Sequence, residues 1–170
     1  MANTLYATFD VGASWLLEES DDLDAPKVSS YRRFLQQFQP GSGSGQVTKL
    51  FRDSRSLSAS ASETLDLSAL VENVLAETRV ISFTTVRGIM VIATSTPADA
   101  VLTITTVGTS DGFDSLFGGA AGSTRLGPGD VFAWTRRLAG AGVDSGNKDL
   151  KFTNDDADAA ATYDVVIVGT

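Results

Sequence analysis

The chain has 170 residues, 42 % of them apolar and 20 % charged, with 16 glycines, 4 prolines and neither histidine nor cysteine. That length is enough to bury a full core in one domain, while the missing histidine and cysteine exclude Ser–His–Asp and Cys–His nucleophilic sites, disulfide scaffolds and the usual zinc sites. The formal charge of −8 is uneven, with three basic against six acidic residues in 1–45 and two against six in 144–170, so no basic footprint for nucleic acid is present.

The opening residues, Met1–Asp22, have no cationic start and no long apolar stretch, and are not expected to act as a signal peptide. The longest purely apolar run, Ile89–Ala93, falls far short of a membrane span. A soluble chain made in a cytoplasm is therefore expected, with no membrane partner.

In chain order, Thr4–Asp10 and Ser14–Glu19 each have the composition of a short strand, followed by the acidic stretch Glu18–Asp24 and Pro26. Tyr31, Phe34, Leu35 and Phe38 then fall at i, i+3, i+4 and i+7, which predicts one short helix with Ser29 or Ser30 as N-cap and Pro40 as stop. Gly41–Gly45, a Gly/Ser alternation, has the composition of a flexible tether. Residues 1–45 are thus expected to form an N-terminal arm, appended to a domain over 46–170. The arm either folds back onto its own domain or buries Tyr31, Phe34 and Phe38 against a partner, because such aromatics need a covering surface.

From residue 47 onward the pattern is strand after strand: Val47–Arg55, Glu63–Leu67, Arg79–Thr84, Val86–Thr94, Val101–Val107, Ser123–Leu126, Val131–Arg136, Asp149–Thr153 and Thr162–Val168. They are rich in β-branched and aromatic residues and are separated by Gly, Pro, Asn and Asp turns. Tyr163, Val165 and Ile167 alternate with Asp164, Val166 and Val168, so the last strand has apolar residues on both faces and suits a central place in a sheet. Ser68–Leu75 reads as one helical turn, with Leu70, Val71 and Val74 on a side. Strands at this spacing predict an all-β antiparallel sandwich or barrel.

Few residues carry chemistry. Asp66, Asp111, Asp114 and Asp130 are numerous enough to form a carboxylate pair of the glycoside-cleaving kind, but Asp beside Gly more often serves a turn. Asn154–Asp158 gathers hard oxygen ligands of the sort calcium takes, without the glycine and terminal glutamate of an EF-hand, and reads first as a solvated acidic turn. No catalytic residue, metal or cofactor is assigned. Arg136-Arg137, Arg32-Arg33, and Arg52 with Arg55 are candidate contacts for an acidic neighbour, and Trp134 is either an interface anchor or a core residue.

Leu126–Phe132, with its Pro128-Gly129-Asp130 turn, resembles the turn that opens a strand in cupin-type jelly rolls. Cupin enzymes hold their metal through histidines that this chain lacks, so the resemblance implies the architecture and not the enzyme. A wider resemblance runs over residues 47–170. Lys49–Arg55, Glu63–Ser68, Val86–Ile89, Pro128-Gly129, Asp149–Asn154 and Thr162–Gly169 together resemble small virion proteins of tailed bacteriophages. That resemblance implies a single jelly roll that decorates or cements a capsid, often as a trimer where capsomers meet.

The expectation is therefore a jelly-roll-like antiparallel β-sandwich preceded by an arm containing one short helix. Its role would be that of a non-enzymatic virion protein, assembled in the host cytoplasm. Its partners would be the major capsid protein or other virion subunits and further copies of itself. The interface residues would be Tyr31, Arg32, Phe34, Phe38, Trp134, Arg136 and Arg137. The alternative is a carbohydrate- or receptor-binding module on a tail or fibre, using Trp15, Trp134, Tyr163 and the 109–122 loop.

Overall fold

The structure, a computed structural model, describes residues 4–18, 27–74, 77–96, 100–106, 110–119 and 122–170. Among these residues fourteen strands follow one another: β1 (Ala7–Glu18), β2 (Lys27–Pro40), β3 (Gln46–Val47), β4 (Lys49–Leu57), β5 (Ser62–Asp66), β6 (Leu70–Val74) and β7 (Glu77–Ile81). Then come β8 (Thr85–Ala93), β9 (Leu102–Thr105), β10 (Ser123–Leu126), β11 (Val131–Thr135), β12 (Ala141–Gly142), β13 (Asp149–Asn154) and β14 (Ala161–Gly169). A single 3-10 turn, Asp114–Leu116, is the one helical element among the described residues.

Two main sheets form the body. One has the order β4-β14-β8-β11, with β12 also paired to β8; the other has the order β5-β13-β9-β10. All these pairings are antiparallel. Alternation decides what lies between the sheets, because successive side chains of a strand point to opposite faces. Phe51, Ile89, Val91, Val165 and Ile167 from the first sheet meet Leu65, Leu102, Ile104, Leu150 and Phe152 from the second in one buried cluster. Each such side chain contributes about 1.5–3 kcal/mol when fully buried. Tyr163 stacks on Phe152 with ring centroids 4.6 Å apart. The last strand, β14, lies between β4 and β8, the central place that its two apolar faces predict.

One polar group sits deep in this interior and is fully engaged. The Asn154 amide donates to the carbonyls of Leu57, Ser58 and Ala159, and its oxygen accepts from the Asp156 amide. At the sheet edge Arg55 pairs with both Asp53 and Glu63, and Tyr163 Oη donates to Glu63 at 2.8 Å. Burial, then the bond to Glu63, pushes the Tyr163 hydroxyl far above its ordinary range.

Both expected helices are strands instead. Residues 31–38 lie within β2, which pairs antiparallel with β1 over its full length, from Ala7↔Phe38 to Glu18↔Lys27. The two short strands expected at Thr4–Asp10 and Ser14–Glu19 are one strand running through Gly12. Residues 70–74 form β6, a hairpin with β7, in which Leu70 and Glu72 are buried and Val71 is exposed, and Glu72 pairs with Arg79.

Candidate functional site

The feature that sets this molecule apart from a plain sandwich is the β1–β2 ribbon. Residues directly opposed in an antiparallel pair share a face. Ala7, Phe9, Val11 and Ala13 of β1 thus lie on the same face as Arg32, Phe34, Gln36 and Phe38 of β2. At its root this face is buried. Phe9 and Phe38 meet edge to face at 6.0 Å and form a second small core with Val47 and Val168, against Leu5, Leu50 and Met90. Gly88 makes this possible: a Cβ there would lie 2.9 Å from the Phe9 ring, so the aromatic ring rests directly on the β8 backbone.

Beyond the root the ribbon projects. Every residue from 10 to 14 and from 31 to 35 is exposed, including Val11 at 51 %, Tyr31 at 59 %, Phe34 at 56 % and Leu35 at 44 %. The Arg33 guanidinium hydrogen-bonds Asp10 across the opposite face and holds that carboxyl below its usual range. Among the described residues, most of the outer edge of β2 and all of that of β1 lack a paired strand, since β2 meets β3 only at Gln39↔Gln46 and Pro40↔Val47.

The Gly41–Gly45 stretch, expected as a flexible tether, is a hydrogen-bonded joint. Gln39 N donates to the Gly45 carbonyl, Gly41 N to that of Val47 and Gln46 N to that of Gly43, with Gly45 at φ +72°. Ser44 Oγ donates to the Leu138 carbonyl. Arg87, only 5 % exposed, clamps the joint from below, donating to the carbonyls of Gly43, Arg137 and Leu138. The arm is therefore aimed by its root, and does not swing on a linker.

The residues singled out by sequence fall into three places. Tyr31, Arg32 and Phe34 stand on the exposed ribbon, whereas Phe38 is buried at its root. Arg136 and Arg137 are exposed beside the joint, with the Arg137 side chain next to Gly45. Trp134 points into the body, edge to face with Phe113 at 6.3 Å. Val11 and Arg87 are not marked as contacts by the sequence, and Leu35 enters only as a helix-face residue; the alternation Ala7, Phe9, Val11, Ala13 is the signal for the first of them.

Of the four aspartates weighed as a catalytic pair, the structure gathers Asp66 and Asp111 around Lys148, together with Asp149, which is directly opposed to Asp66. Burial raises Asp66, but hydrogen bonds from Lys148 and Ser68 outweigh it and hold the carboxyl low, whereas burial pushes Asp149 up. Asp66 accepts from Lys148 Nζ at 2.6 Å and from Ser68 N and Oγ, a clasp between strand ends. Asp114 opens the 3-10 turn and Asp130 accepts from Gly127 N, both turn roles. In the 154–158 loop, Asp156 Oδ1 accepts from the amides of Asp158 and Ala159, so the loop oxygens close the turn itself. Among the described residues no group of three or more acidic side chains is arranged to hold a metal ion. Of the residues named for sugar binding, Tyr163 is wholly buried, and the Trp15 side chain lies outside the described residues, as does part of the 109–122 loop.

No protein-family model and no curated protein matches the sequence. Among solved structures the crystal structure of PirA is similar, with a TM-score of 0.37 and 12 % identity, covering 69 % of this chain and 93 % of that chain.

Proposed function

We propose that this chain is a non-enzymatic structural subunit of a bacteriophage virion, a jelly roll that decorates or cements the capsid and makes its contact through the β1–β2 arm. The observation that carries this reading is the arm itself: a ribbon with exposed Val11, Tyr31, Phe34 and Leu35, aimed outward by a hydrogen-bonded root. An isolated two-stranded ribbon is marginally stable in water and is stabilised by a surface that covers it. An assembled shell supplies such a surface, and several arms acting together hold far more tightly than one.

Strand order supports the jelly-roll part of the reading. Leaving the arm and the β6–β7 hairpin aside, the chain visits the two sheets as β4, then β5, β8, then β9 and β10, β11, then β13, then β14. Two four-stranded sheets exchanged in this way are what a jelly roll requires. The inward-facing Trp134 and buried Tyr163 remove two of the aromatic platforms on which the carbohydrate-binding alternative relied.

The test is addition of the full chain to phage heads that lack it. Saturation at a fixed ratio to the capsid subunit, with density for the arm against that subunit in a particle reconstruction, is the expected outcome. Absence of binding to heads, or binding to tails only, overturns it.

A further inference from the structure

Beside the root of the arm, between the outer face of β4 and the β6–β7 hairpin, lies an open cleft of about 460 Å³. Its lining includes Leu5, Leu50 and Val80, together with Lys49 and Arg52. Val80 is a large apolar side chain that is 63 % exposed. Among the described residues Lys49 Nζ donates to the Ser82 carbonyl and neither Lys49 nor Arg52 has a carboxylate partner, while Arg79 is already paired with Glu72. A cleft that combines apolar side chains with two cations beyond its one internal ion pair, Glu72–Arg79, fits an acidic segment that carries an apolar residue.

The chain itself contains such a segment. Between β1 and β2 the sequence reads Glu18-Glu19-Ser20-Asp21-Asp22-Leu23-Asp24, five carboxylates around one leucine. From Phe9 at the root to Glu18 the strand extends about 30 Å, close to the width of a body of this size. We infer that this cleft receives the acidic Glu18–Asp24 segment of a second copy of the chain. The inference deepens the proposed function by naming the arm's partner within an oligomer.

Cleft and arm are different surfaces, so the contact is head to tail, and it closes into a ring when the rotation between copies permits. Self-association of a chain with a net charge of −8 also needs a local attraction of this kind to offset the repulsion.

Sedimentation velocity of the full chain tests the inference. The native protein is expected to associate, and association is expected to weaken as salt rises. The pair Lys49→Glu with Arg52→Glu, and separately the pair Asp21→Lys with Asp22→Lys, are each expected to weaken it by about tenfold or more. A chain carrying all four changes is expected to recover it, which a merely misfolded variant would not do. A native chain that stays monomeric, either pair leaving association unchanged, or a four-fold variant that fails to recover overturns the inference. A monomer that still saturates phage heads overturns this contact and leaves the proposed function standing; an oligomer that ignores heads does the reverse.

Discussion

Phe38→Ala is expected to lower the stability of the chain by about 3 kcal/mol, a fall in melting temperature of about 6–12 °C for a protein of this size. Phe38 is 1 % exposed and closes the small core of Phe9, Val47 and Val168. Its loss leaves a cavity and uncovers the outer faces of β8 and β14. Phe34→Ala, four residues earlier on the same face of the ribbon, is expected to change stability by less than about 0.5 kcal/mol, since that ring is 56 % exposed. The contrast is diagnostic of the ribbon. A helix carrying Tyr31, Phe34, Leu35 and Phe38 on one buried side would lose comparable stability at both positions. Equal effects in a thermal melt would therefore contradict the β1–β2 pairing.

Shortening the ribbon is expected to abolish attachment while sparing the body. Asp10 and Leu35 are directly opposed, so residues 11–34 can be replaced by an Asn-Gly turn that keeps register at the root. Phe9, Phe38 and the Arg87 clamp stay in place, and the melting temperature is expected to move little. Occupancy on phage heads is expected to fall by about 100-fold or more, because every protomer loses its contact at once and multivalent gain vanishes with it. Occupancy equal to that of the full chain removes the arm from the mechanism.

Why the sandwich was legible and the arm was not follows from what alternation reports. Period-two patterning arises where one face of a strand is buried and the other wet. Ser123–Leu126 has the bounds expected from sequence, and Val86–Thr94 and Thr162–Val168 differ from β8 and β14 by a residue at each end. In β2 both faces are exposed over 31–35, so nothing selects for alternation. The doublets Arg32-Arg33 and Gln36-Gln37 break the period, and the aromatics fall by spacing into a helical pattern. The second misread helix has a different cause. Leu70 is buried and Val71 exposed as a strand requires, but the next inward position is Glu72, whose charge is met by Arg79 from β7; a cross-strand ion pair has no signature in a single strand's hydropathy.

The joint was concealed for a related reason. A Gly/Ser alternation has the composition of a linker, and what fixes it comes from elsewhere in the chain. Arg87 and the carbonyls of residues 137 and 138 are long-range partners, which no local pattern announces. Phe38, an aromatic expected to need a covering surface, is covered by the protein's own β14 and β3; Tyr31 and Phe34 stay more than half exposed.

Hydrogen–deuterium exchange of the arm, free and assembled, tests the central claim most directly. In the dilute isolated chain, amides of residues 10–14 and 31–35 are expected to exchange quickly while those of β8 and β14 resist; on assembled particles the arm amides are expected to slow by about tenfold or more. An arm as slow in the free chain as on the particle, or one that stays fast after assembly, would contradict the account.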